Sequence, residues 1–181
     1  MKSTFTSDLT KAAIQKLDAA NHVFAGRYPG ESPARQPVQT VYGGAQIFKA
    51  DTAAKLGAAA LRTMEENAPD HASFAKALGI KLDPKLSKLI HHRVIEKLRR
   101  EPVEDFRIDF EDGYGNRPDA EEDGHAASAA REVAAGMKAG TLPPFIGIRV
   151  KPLTQELKTR AIRNARVSDG AYLLASRAMI V

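Results

Sequence analysis

The sequence predicts an α/β fold of about three strand–helix units on a parallel sheet, and three observations carry that expectation. Two short segments alternate in polarity with period two, Asp105-Phe-Arg-Ile-Asp-Phe-Glu111 and Phe145-Ile-Gly-Ile-Arg-Val150, and each ends in charge and turn residues. An alanine-rich stretch over 119–139 separates them, too long for a hairpin and suited to a crossover helix. An earlier strand at 37–42 is followed by further helical segments. Strand and helix thus alternate, as in βαβ units with right-handed crossovers.

Along the chain, residues 1–34 combine a short helical pattern over 9–20 with the turn-rich Gly26-Arg-Tyr-Pro-Gly-Glu-Ser-Pro33. The strand at 37–42 ends at Gly43-Gly44. Asp51 stands at an N-cap position before an alanine-rich helix to about 66, and a short helix over 72–78 closes on Gly79. Asp83-Pro84 places a cap and a first-turn proline before the helix that ends near Glu101-Pro102. The strand at 105–111 leads through Asp112-Gly-Tyr-Gly-Asn-Arg-Pro118 into the helix over 119–139, acidic in its first turn and closed by Gly140. A strand at 145–150 and a helix over 154–163 complete the readable pattern. Asn164-Ala-Arg-Val-Ser-Asp-Gly170 breaks that helix, and 171–176 carries only a weak pattern.

Composition excludes several classes. The chain of 181 residues is long enough for a core, and it contains no cysteine, so disulfides and thiolate metal sites are ruled out. No apolar run approaches the ~20 residues that span a bilayer. Met1 to Asp8 lacks a secretory signal's apolar segment, and Ser87-Lys88-Leu89 is internal and no peroxisomal address. A cytoplasmic protein without a membrane partner is expected. The net charge of +5 is modest. Its densest cluster, His91-His92-Arg93 with 97–100, lies on a predicted helix whose apolar stripe is Leu86, Leu89, Ile90, Val94 and Leu98, and reads as a solvated outer face. No aromatic residues interleave with it, so no nucleic-acid partner is expected.

Candidate chemistry collects at two strand ends. On the first strand Phe106, Ile108 and Phe110 share one face, and Arg107, Asp109 and Glu111 the other. Arg149 at the end of the second can grip a carboxylate bidentately, or form a structural ion pair with Asp109 or Glu111. Asp109, Glu111 and Asp112 can hold a divalent cation directly or through water, position Arg149, or simply cap the next helix. Gly113 and Gly115 let the loop pass close to a ligand. Lys151 reads as a solvated partner near the rim. Adjacent His91 and His92 point in different directions, His125 reads as a surface or helix-packing residue, and no histidine is assigned catalysis.

These residues carry a resemblance. Arg-Ile-Asp-Phe-Glu-Asp-Gly at 107–113, an alanine-rich helix, and Ile-Arg-Val-Lys-Pro-Leu at 148–153 resemble the citrate lyase β-chain-like branch of the HpcH/HpaI aldolase family. Its members read roughly Asp-Leu-Glu-Asp and Arg-Val-Asn-Pro-Leu at the two strands. Arg35-Gln-Pro-Val-Gln-Thr-Val-Tyr42 is similar to the first barrel strand of a subgroup with a longer helical insertion before strand two. The resemblance covers about 35–160. It implies the first three βα units of an incomplete TIM (β/α)8 barrel of the phosphoenolpyruvate/pyruvate type, with that insertion.

It further implies a Mg²⁺-dependent carbon–carbon lyase or aldolase acting through an enolate on a small 2-oxo acid or an acyl-CoA-type thioester. Arg149 matches the arginine that binds substrate carboxylate. Asp109 and Glu111 match the catalytic acidic motif, and Asp112 reaches the metal through water or supports its ligands. Lys151 stands where the family has asparagine, and Gly43-Gly44 where it often has a proline turn. The two main metal-ligating carboxylates of the family come from later strands, so this chain is expected to lack the complete active site and to be inactive in this truncated form. Residues 1–34 are then an extension, 35–163 the N-terminal portion of the barrel domain, and 164–181 an aberrant or truncated tail. A frameshift, a fragment and a genuine short protein are each compatible with that tail. The full-length relative is expected to be a homo-oligomer. The competing expectation is a non-catalytic α/β domain that binds an anionic ligand or a protein partner.

Overall fold

All three predicted strands form, and they pair in sequence order. The computed structural model describes residues 7–172. Strands β1 (Thr40–Gly44), β2 (Asp105–Asp109) and β3 (Phe145–Arg149) make one parallel sheet in the order β1-β2-β3. The helices are α1 (Ser7–Arg27), α2 (Thr52–Asn67), α3 (His71–Ala77), α4 (Pro84–Arg100), α5 (Asp119–Ala139) and α6 (Lys158–Tyr172). The chain is therefore α/β. Among the described residues the sheet has three strands and is not closed. No described helix is long and apolar enough to cross a membrane.

The chain divides into Met1–Gln36 and Pro37–Val181. The first unit holds α1, which extends beyond the predicted 9–20 and buries none of its residues. The second holds the sheet and the core.

Register decides what each sheet face presents. Tyr42 lies opposite Arg107, which lies opposite Gly147; Gly44 lies opposite Asp109, which lies opposite Arg149. Laterally paired residues of a parallel sheet share a face. One face therefore carries Val41, Phe106, Ile108, Ile146 and Ile148, and the other Tyr42, Asp105, Arg107, Asp109 and Arg149. The first face is the core: Phe106, Ile108 and Phe110 are buried with Phe48, Val103, Tyr114, Ala126, Ala129 and Val133. The alanines of α5 have short side chains, which lets that helix lie close against the β-branched and aromatic side chains of the sheet. It ends on Gly140 in the left-handed region, φ 66°.

Aspartates cap α3 and α4, while the cap expected at α2 does not form. Asp83 accepts from the N–H groups of Lys85 and Leu86, and Asp70 with Ser73 forms a full capping box. Asp51 occupies the N-cap position of α2 but makes no capping bond; it pairs with Lys55 at 3.0 Å instead.

Two expectations are corrected. Gly43 and Gly44 lie inside β1 rather than ending it. A Cβ on Gly44 would lie 2.3 Å from the Gly113 oxygen, so this glycine is needed for close approach of the β2–α5 loop. Helix α6 starts at Lys158 and continues through Asn164 to Tyr172 instead of breaking there. Asn164 is 1% exposed and its amide donates to Glu122 Oε1 at 2.5 Å. A polar residue that interrupts an apolar stripe is here a buried hydrogen-bonding group. Of the weak 171–176 pattern, residues from 173 onward lie outside the described residues.

Candidate functional site

The polar face of the sheet ends in a cluster of charges at the C-terminal ends of β2 and β3. Asp109 closes β2, and its carboxylate shapes the turn after it: Oδ1 accepts the Glu111 N–H at 2.8 Å and Oδ2 the Gly113 N–H at 2.9 Å. That turn carries Glu111 and Asp112 over the end of β3. Arg149 meets all three acidic residues. Its Nη2 lies 2.9 Å from Asp112 Oδ2 and pairs with Glu111 Oε2, and its Nη1 lies 3.5 Å from Asp109 Oδ2. The guanidinium also sits 5.3 Å from the centre of the Tyr42 ring. Three carboxylates thus face one guanidinium, a formal excess of two negative charges. The hydrogen bond that Arg149 donates to Asp112 holds the Arg149 pKa above its ordinary value; desolvation opposes it, and the charges of Glu111, Asp109 and Asp112 add to the rise.

All four site residues singled out in the sequence, Asp109, Glu111, Asp112 and Arg149, therefore come together. The sequence left Arg149 between gripping a ligand carboxylate and pairing with Asp109 or Glu111, and in the fold it pairs with both. The structure adds a second pair on the same face. Arg107 Nε donates to Asp105 Oδ2 at 2.9 Å, and the Thr40 hydroxyl donates to the same oxygen at 2.9 Å. Gly147 gives Arg107 its room, since a Cβ there would lie 2.4 Å from Arg107 Nη1. Asp105 is 2% exposed, and its Oδ1 is buried without a hydrogen-bond partner. Sequence reasoning passed over Asp105, Arg107 and Tyr42 as site residues, although period-two alternation put them on this face.

Lys151 is the clearest correction. It is 3% exposed rather than solvated. Its Nζ donates to the Phe110 carbonyl at 2.6 Å and the Gly115 carbonyl at 3.3 Å, and it pairs with Glu122 Oε1 at 3.1 Å. One ammonium therefore ties both ends of the acidic loop to α5. Glu122, also buried, accepts from Arg160 at 3.2 Å on its other oxygen. Between loop and helix the Tyr114 hydroxyl lies 2.8 Å from His125 Nδ1, which makes His125 a packing residue. Burial, reinforced by the charge of Glu122, pushes the Tyr114 hydroxyl up to about 12.

The carboxylates do not fit a Mg²⁺ site as they stand. Both Asp109 oxygens are engaged by backbone N–H groups, and Glu111 and Asp112 turn their oxygens to Arg149, whose cation fills the space a metal would take. Among the described residues no group of three or more His, Asp or Glu is arranged to hold a metal ion. The histidines stand apart as expected: His91 contacts the Ala68 carbonyl at 3.0 Å and His92 pairs with Glu96 at 3.3 Å.

A family model described as a domain of unknown function (DUF6986) matches residues 17–169. No curated protein and no solved structure matches the chain.

Proposed function

The chain belongs to the DUF6986 family, and for it we propose the carboxylate-binding part of a carbon–carbon lyase of the aldolase type, built on an α/β barrel and acting on a small 2-oxo acid or its thioester. One observation carries the reading. Arg149 stands at the C-terminal end of a parallel strand, where barrel enzymes place their chemistry, and its side chain is 35% exposed beside Tyr42. A planar guanidinium in that place can take a carboxylate through two parallel hydrogen bonds. It also lies close to the charge that develops when the neighbouring 2-oxo group becomes an enolate. Asp109 acts by positioning the loop. Glu111, 25% exposed, is the carboxylate available for proton transfer once a ligand holds Arg149. Mg²⁺ belongs to the proposal only as the cofactor that the resemblance implies, with ligands outside the described residues.

The second reading, a non-catalytic α/β domain that binds an anionic ligand or a protein partner, draws on the full set of carboxylates already around Arg149. Calorimetric titration with pyruvate, with and without Mg²⁺, coupled to an assay for oxaloacetate cleavage, separates the two. The lyase reading expects pyruvate binding that weakens in Arg149→Lys. An unchanged affinity in that variant would overturn it.

A further inference from the structure

We infer that Asp112 is an internal competitor for the carboxylate site, occupying on Arg149 the place a ligand carboxylate would take. The inference rests on the reading of Arg149 as the carboxylate-binding residue. The three acids around Arg149 are not equivalent. The Asp109 side chain is 3% exposed and committed to two backbone N–H groups, so it cannot leave without unmaking the turn. The Glu111 side chain is 25% exposed. The Asp112 side chain is 77% exposed, and Arg149 is its one partner among the described residues. Withdrawing Asp112 therefore strands no buried charge.

The backbone need not move for this exchange. Residues on both sides of Asp112 are pinned through Asp109, and Lys151 fixes the loop at Phe110 and Gly115. Rotation of the Asp112 side chain into water is sufficient. Asp112 offers Arg149 one oxygen at 2.9 Å, whereas a small free carboxylate can offer two to the same fork. The site then favours compact ligands whose carboxylate lies flat on the guanidinium. It disfavours those that leave Asp112 in place and meet its charge.

The test is calorimetric titration of pyruvate into the 181-residue chain as wild type, Asp112→Asn, Asp112→Ala and Arg149→Lys, with circular dichroism to check folding. Both Asp112 variants should lower the Kd about two- to fivefold, the factor an exposed ion pair of this kind is worth. Asp112 variants that bind no more tightly than wild type, while Arg149→Lys weakens binding, would overturn the inference and leave the Arg149 reading standing. Pyruvate binding that Arg149→Lys leaves unchanged would remove the Arg149 reading, and this inference with it.

Discussion

Arg149 combines charge with a planar fork, and its neighbours use both. Lysine in its place keeps the positive charge among Asp109, Glu111 and Asp112 but cannot span two of them, nor two oxygens of one ligand. On the proposed lyase reading, Arg149→Lys should lower kcat/KM at least about tenfold, roughly 1.4 kcal/mol of transition-state binding; steady-state kinetics checks this. Tyr114 has a separate signature. Its hydroxyl is neutral in the fold up to about pH 12 but ionises near pH 10 when unfolded. Between those values the unfolded chain has lost a proton that the fold retains, so stability present below pH 10 falls as pH rises. Urea midpoints should drop across that interval, and Tyr114→Phe should flatten the drop. Arg149 was legible in the sequence because period-two alternation depends only on near neighbours. Lys151 was not, because its burial depends on Glu122 and on two carbonyls that only the folded loop brings to it.

Between elements, two contacts tie the acidic loop into the fold. Gly44 at the end of β1 lies against the Gly113 carbonyl, so a methyl group there must push β1 and the loop apart. Gly44→Ala should therefore strain the junction of β1 with the β2–α5 loop and lower the urea midpoint, as denaturation of the variant would reveal. The second contact is the buried Lys151–Glu122 pair. Lys151→Met leaves the Phe110 and Gly115 carbonyls without their donor, and leaves Glu122 to Arg160 and Asn164 alone. Loss of one partner from a buried pair costs about 3 kcal/mol; the urea midpoint should fall accordingly with unchanged m-value. Both contacts explain where the sequence misled. A double glycine reads locally as a strand end, yet Gly44 answers to a residue far along the chain. Asn164 reads as a break in a stripe, yet it completes a hydrogen bond to α5. Caps and strands were legible because their causes are local, whereas these contacts were not because their partners are distant.

For the molecule as a whole, strand order and parallel pairing followed from the alternation of strand and helix, while closure of the sheet could not. Period and connection length determine which strands neighbour one another. They do not determine what covers the outer edges of β1 and β3, which carry no further strand among the described residues. A sheet edge without a neighbouring strand is a template for pairing with another chain, and five-residue strands lacking proline do little to blunt it. The polar face adds a buried Asp105 oxygen without a partner, a group that ordinarily finds one. Against association stands a net charge of +5, a long-range repulsion that salt screens. The 181-residue chain should therefore self-associate as concentration rises, and more strongly at high salt than at low. Sedimentation velocity across a concentration series at two ionic strengths measures this directly. A monodisperse monomer under all conditions, melting in one cooperative transition at high temperature, would mean that three strands and their helices suffice, and the barrel reading would have to be abandoned.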